Sequence, residues 1–231
     1  VWIQIGTNLA NDVFDYEKGA DTAERLGPLR VTQAGLLSAA QVRAGMVVSF
    51  ALATAAGAYL ALVAGWPIVL LGVVSIASGV AYTGGPYPLG YHGLGDVFVM
   101  AFFGFAAVCG TVFVATGAVT PLSLWCALPV GALATAVLAV NNTRDYETDV
   151  KAGKHTLVVR FGRRFGELEY ASLLAVAYAV PLALVVARSV TPFALATWAT
   201  LPWALALFRA LVRERGAPLN AVLAGTAKPT P

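Results

Sequence analysis

Two short segments hold most of the residues able to do chemistry. The first contains Asn8, Asn11, Asp12, Asp15, Glu17, Lys18 and Asp21. The second contains Asn141, Asn142, Arg144, Asp145, Glu147, Asp149, Lys151 and Lys154. Each pairs an Asn with an Asp four residues on, Asn8 with Asp12 and Asn141 with Asp145. On a helix, Asp12 and Asp15 share a face at i, i+3, and Asp145 and Asp149 share one at i, i+4. The two segments form an internal repeat of about 133 residues, too long for a solenoid. Two related halves facing one cavity would produce it.

Carboxylates gathered on one face repel one another, and a divalent cation relieves the repulsion. Mg²⁺ takes oxygen ligands, keeps several waters and bridges one or two carboxylates to substrate phosphates. Two facing clusters suit two such ions around one diphosphate, whose charge grows as its C–O bond breaks. Asp12, Asp15, Asp145 and Asp149 are the acids of these two clusters that could hold such catalytic ions. Arg144, Lys151, Lys154, Arg160 and Asn11 are expected to contact the diphosphate. Asp and Asn at helix ends also cap, and charged loops are also simply solvated. The matched repeat argues for more than capping.

The elements that position these residues follow from where charge is missing. The chain is 58% hydrophobic and 12% charged, about half the charge of a soluble domain. No Asp, Glu, Lys or Arg falls between Arg43 and Asp96, or between Asp96 and Arg144. Glu169 to Arg188 and Arg188 to Arg209 are equally clear. A membrane helix needs roughly 20 apolar residues. Six complete spans are expected, near 43–64, 67–83, 97–116, 121–141, 170–187 and 192–208. Runs of this kind lack strand alternation, so the fold class is all-α, a polytopic transmembrane helix bundle. Residues 1–11 read as the last turns of a helix, and an apolar segment opens after Leu219. A leading and a trailing span are thus expected to be absent or partial, around a single membrane domain over 1–231. Cys109 and Cys126 fall inside spans and read as small apolar residues.

Of the 15 Lys and Arg residues, only Arg188 falls on the short turns at 65–67, 117–121 and 188–192. The positive-inside rule puts the long connections in the cytoplasm. All 12 acids share that side, which orientation alone does not require.

One long connection, 84–96, has almost no charge but carries hydrogen-bonding groups: Tyr82 just before it, then Tyr87, Tyr91, His92 and Asp96. Tyr82 and Asp96, with Arg30 and Asp21, are the candidates for an acceptor site. Tyrosines also anchor at membrane interfaces, and Asp96 also reads as a helix cap. His92 reads as a surface residue. Glu17, Glu24, Glu147, Glu167 and Glu169 read as solvated.

At these residues the sequence resembles the UbiA superfamily of membrane prenyltransferases, whose marks are an NDxxD-type motif and a later DxxxD motif. Within it, the branch that prenylates 1,4-dihydroxy-2-naphthoate in menaquinone synthesis is the most similar. The supporting segments are Asn8–Asp21 running on to Gly27-Pro28-Leu29-Arg30, Tyr82–Asp96, and Asn141–Asp149 with Gly153-Lys154-His155-Thr156-Leu157. The resemblance implies nine helices, with parts of the second and ninth here. It implies Mg²⁺ at Asp12, Asp15, Asp145 and Asp149, with Asn8 and Asn141 in support, and an all-trans polyprenyl diphosphate as donor. The naphthoate would be alkylated with loss of diphosphate and CO₂, at a membrane surface facing the cytoplasm. Asp21 falls where this branch has its later acid. The wider superfamily has a third acid four residues after Asp15, where this chain has Gly19.

Three other readings compete. One is an acceptor of another branch, such as 4-hydroxybenzoate. A cation transporter would use acids too, but needs a site reachable from both sides, usually near the midplane. A lipid-binding protein with a dead site would not need both Asp motifs intact. No reading involves nucleic acid.

Overall fold

The computed structural model describes residues 1–20 and 26–228. Its described residues form helices and loops, with no strand among them. Helix α1 is Trp2–Glu17, α2 is Ala39–Ala64 and α3 is Trp66–Ala81. Helix α4 runs Gly95–Thr116, and α5 is Pro121–Arg144. Two short helices follow, α6 Tyr146–Lys151 and α7 Leu157–Phe161. Helix α8 is Arg163–Val186, α9 is Pro192–Arg213 and α10 is Leu219–Ala227.

Five of these, α2, α4, α5, α8 and α9, are long and apolar enough to cross a membrane, and α3 is a shorter apolar helix. All six expected spans are therefore helical. Several extend further than their uncharged stretches, because helices continue into charged residues at their ends. Helix α8 begins at Arg163, not near 170. The expected last turns at 1–11 are the body of α1, which carries on through both Asp12 and Asp15.

Helix boundaries have local causes. Ser38 and Thr120 each close a capping box with the residue three positions on, starting α2 and α5. Pro67 and Pro121 stand in first turns, where a missing N–H costs nothing. Gly117 ends α4 at φ +77°, in the left-handed region that glycine enters freely.

Helix α5 is the centre of the bundle. Nearly half of its most apolar stretch is buried, while only 6% is in α2 and α4. It packs most extensively on α8, and also on α4 and α10. Ala136, Ala139 and Val140 of α5 meet Tyr170 and Leu174 of α8, Leu211 of α9, and Leu219 and Val222 of α10. Small residues on α5 let neighbouring backbones close in, the usual device where lipid removes a hydrophobic drive between helices. The outer surface is apolar, with Leu62, Trp66, Val186 and Phe193 well exposed. Exposed side chains of this kind suit hydrocarbon.

Candidate active site

The two Asp motifs meet at one end of the bundle. Helix α1 buries Asp12 and Asp15 on one face, as the i, i+3 spacing requires. Asp145 sits where α5 stops and α6 starts, and Asp149 lies one turn further, buried. The Asp149 N–H donates to the Asp145 carbonyl at 2.8 Å, so the turn is kept across the break.

Each carboxylate already has partners. Asp12 accepts from the backbone N–H groups of Val31 and Thr32 at 3.1 and 3.2 Å, which ties the 26–38 connection to α1. Asp15 accepts from the Tyr91 hydroxyl at 2.7 Å and lies 3.5 Å from an Arg30 nitrogen. Asp145 is gripped by Arg144, and Asp149 lies 3.4 Å from Lys154 Nζ.

Of the cations nearby, Arg144 is the one turned fully inward. Arg144 is buried and also donates to Asn141 at 2.7 Å and to Asn220 of α10 at 2.8 Å. Its role in this structure is to hold Asp145 and Asn141. Lys18 and Lys154 each lie 5.1 Å from the Tyr91 ring centroid, within range of a cation–π attraction. Lys18 also donates to the Thr83 carbonyl. Lys151 is exposed at the end of α6. Arg160 donates to the carbonyls of His155 and His92 at 3.0 and 2.9 Å, so it fastens two connections together. Asn11 accepts from the Thr83 hydroxyl at 2.9 Å. Asn8 is exposed, and its carbonyl lies 3.5 Å from an Arg30 nitrogen.

Tyr82 caps the end of α3, close enough to acids of both motifs to feel their charges. Burial pushes its phenol up from the ordinary value, and the charges of Asp96, Asp15 and Asp149 push it further the same way. Its hydroxyl lies against Gly95, the residue before Asp96. Burial also raises Asp149 above the usual carboxylate range; Lys154 opposes the shift, and Asp145 and Asp15 reinforce it. Acids from both motifs therefore feel one another. Asp21, the remaining acceptor candidate, lies outside the described residues.

Among the described residues no three acid, Cys or His side chains converge into a metal cage. Mg²⁺ does not need one, since one or two carboxylates plus substrate phosphates suffice. Asp149, raised in part by its like-charged neighbours, has the electrostatic character a cation would relieve. The donor set fits Mg²⁺ on that ground.

One reading is corrected. Glu169, expected to be solvated, is turned into the bundle with Oε2 buried beside the Asp96 carboxyl. The span expected near 170–187 follows uncharged residues alone. Because α8 starts at Arg163, Glu169 lies well inside the helix. Sequence reasoning also missed Asn220, whose amide donates to the Leu26 carbonyl at 2.8 Å while its oxygen holds Arg144. Its only signal was a polar residue opening an apolar segment. His92 stacks on Tyr87 at 3.7 Å between centroids, with Nδ1 2.8 Å from the Pro88 carbonyl, so it braces the 84–94 connection.

Beside the site, an open apolar groove of about 500 Å³ is lined by Ala77, Val80 and Ala81 of α3 and by Gly84–Tyr87.

Comparison with known proteins places the chain in a family. Residues 1–224 match the UbiA prenyltransferase family. A 1,4-dihydroxy-2-naphthoate octaprenyltransferase of Haemophilus influenzae is 39% identical over 83% of this chain and 64% of its own length. Proteins of the same name from Mycobacterium tuberculosis and Bacillus subtilis are 38% and 30% identical, over 89% and 97% of this chain and 69% and 72% of theirs. The chain thus spans a little under two thirds of the length of the Haemophilus relative. It belongs to the UbiA prenyltransferase family and is a multi-pass membrane protein.

Proposed function

We propose that this member of the UbiA prenyltransferase family transfers a polyprenyl group from an all-trans polyprenyl diphosphate to 1,4-dihydroxy-2-naphthoate, with loss of diphosphate and CO₂, in menaquinone synthesis. The observation that carries it is the link between the motifs through Tyr91, whose hydroxyl donates to Asp15 and whose ring lies 5.1 Å from the Lys154 ammonium, itself 3.4 Å from Asp149. The names of the relatives supply the acceptor. The charged connections would face the cytoplasm from a cell membrane.

Asp12, Asp15, Asp145 and Asp149 would hold Mg²⁺, supported by Asn8 and Asn141. Bound there, Mg²⁺ supplies positive charge against the departing diphosphate. Lys151 and Lys154 meet the same charge from the protein side. The allylic C–O bond breaks with its electrons leaving on the diphosphate, and the ring carbon of the acceptor attacks the allylic carbon. The apolar groove beside Gly84 suits the prenyl chain. Excluding water there keeps the allylic cation from being quenched.

The test is transfer from a labelled polyprenyl diphosphate in membranes holding the protein, with and without Mg²⁺. A Mg²⁺-dependent prenylated naphthoquinol supports the reading. Prenylation of 4-hydroxybenzoate instead would keep the chemistry and change the acceptor. Failure with every aromatic acceptor would overturn it.

A further inference from the structure

Asp96 and Glu169 come from different helices, α4 and α8, and both are turned inward on the bundle. Asp96 is only 7% exposed. Both of its carboxyl oxygens and Oε2 of Glu169 are buried, and no donor from any other described residue reaches them. Their carboxyl groups face each other within hydrogen-bonding reach. Among the described residues no Lys, Arg or His contributes to either group.

Two buried carboxylates cannot both stay ionised side by side without a cation. The low dielectric makes their repulsion and desolvation prohibitive. One proton resolves both problems. It removes a charge, and it supplies the donor that the orphaned oxygens lack. Asp96 is nine-tenths buried and points at a partner that can only accept, so the missing donor is the second observation beyond mere clustering.

We infer that Asp96 and Glu169 hold one proton between them, and that this pair takes up and then returns the hydroxyl proton of the aromatic acceptor. The second half rests on the function proposed above. The pair is placed for it, since Asp96 follows Gly95, against which the Tyr82 hydroxyl lies, and Tyr82 is near enough to Asp15 and Asp149 to feel their charges.

The step balances. The ring carbon bearing the carboxylate forms the new C–C bond as the allylic C–O bond breaks onto diphosphate. The neighbouring ring hydroxyl becomes a ketone, and its proton passes to the carboxyl pair. A ketone beside that carbon makes the carboxylate a β-keto acid anion. CO₂ leaves, its bonding electrons restore the aromatic ring, and the ring oxygen takes the proton back. The pair ends as it began.

The experiment uses the purified protein in lipid nanodiscs, with Asp96→Asn and Glu169→Gln made singly. Infrared spectra at neutral pH read the C=O stretch of a protonated carboxyl, identified by its shift in deuterium oxide. The wild type should show one such band, and each variant should lose it. With wild-type transfer as reference, each variant should lower kcat by ~100-fold, the scale of lost acid–base assistance, and abolish any solvent deuterium effect on transfer. Binding of the prenyl diphosphate should survive, which reports an intact fold. Absence of the band in the wild type, its survival in both variants, or wild-type kcat in both overturns the inference. In the last case the proposed transfer itself still stands. A wild type that transfers to no aromatic acceptor instead overturns the proposed function, and the catalytic role of the pair with it.

Discussion

The Arg144 guanidinium closes on the Asp145 carboxylate through two parallel bonds, 2.8 Å from Nε to Oδ1 and 2.6 Å from Nη2 to Oδ2. The Arg144 side chain is fully buried. Such a fork fixes both the position and the plane of the carboxylate. The same guanidinium reaches Asn220, whose amide holds the Leu26 carbonyl. One buried cation thus connects the second Asp motif to α10 and to the chain after the first motif.

Arg144→Lys keeps the charge and loses the fork. Asp145, Asn141 and Asn220 cannot all be satisfied by one ammonium group. Transfer should fall at least about tenfold, from the misplacement of Asp145. Arg144→Ala should cost about 3–5 kcal/mol, as it leaves buried partners unpaired. Thermal unfolding in detergent reads the second effect, and steady-state kinetics read the first. A lysine variant with wild-type kcat would assign the fork no part in catalysis.

Asp15→Asn and Asp149→Asn keep the shape of each side chain and remove its charge. If these acids carry Mg²⁺, each variant should lower kcat by about 100-fold or more, the scale of losing one element of charge stabilisation. Each should also need more Mg²⁺ for half-maximal rate. The change should raise stability without substrate or leave it unchanged for Asp149, because burial and like-charged neighbours already disfavour its ionised form. Chelation should abolish wild-type transfer, and added Mg²⁺ should restore it. Equal rates at saturating Mg²⁺ in wild type and variants would remove these acids from the metal site.

Tyr91 does two things at once. Its hydroxyl donates to Asp15 at 2.7 Å, and its ring lies near two lysine ammonium groups that would otherwise repel. Tyr91→Phe keeps the ring and loses the hydrogen bond, worth about 1 kcal/mol. Tyr91→Ala loses both, adding about 0.5–1 kcal/mol for each cation at an exposed site. The KM for the prenyl diphosphate should therefore rise in the order wild type, Phe, Ala. Phe and Ala variants with the same KM would mean the ring does not position Lys18 and Lys154.

The spans were legible because lipid demands long uncharged runs, and charge-free residues 44–95 and 97–143 admit few other readings. The Asp motifs were legible because the repeat put the same residue types at the same spacing twice. The side-chain connections inside the site were not. Arg144 looked like a loop cation for phosphate, since sequence gives no sign that α5 carries it inward to Asn220. Glu169 looked solvated, since its position relative to the membrane depended on where α8 begins. Both depend on packing between helices far apart in sequence, which spacing along one helix does not encode.

Gly104 of α4 faces Gly131 of α5, and there the two backbones touch. A Cβ on Gly104 would stand 2.9 Å from both the Ala127 carbonyl oxygen and the Gly131 Cα. Neither backbone atom can rotate away, so an added methyl must push the helices apart. The residues around Gly104 are also wound as a π-helix, Met100–Ala106, a widened turn often found near functional sites. Gly104→Ala should cost about 1–3 kcal/mol from overpacking, despite alanine's better helix propensity. Because α4 begins at Gly95 and carries Asp96 in its first turn, the displacement should also reach the carboxyl pair. A lower melting temperature together with a lower kcat is expected. Loss of stability with unchanged kcat would mean that α4 can shift without moving Asp96, and that the glycine contact serves packing alone.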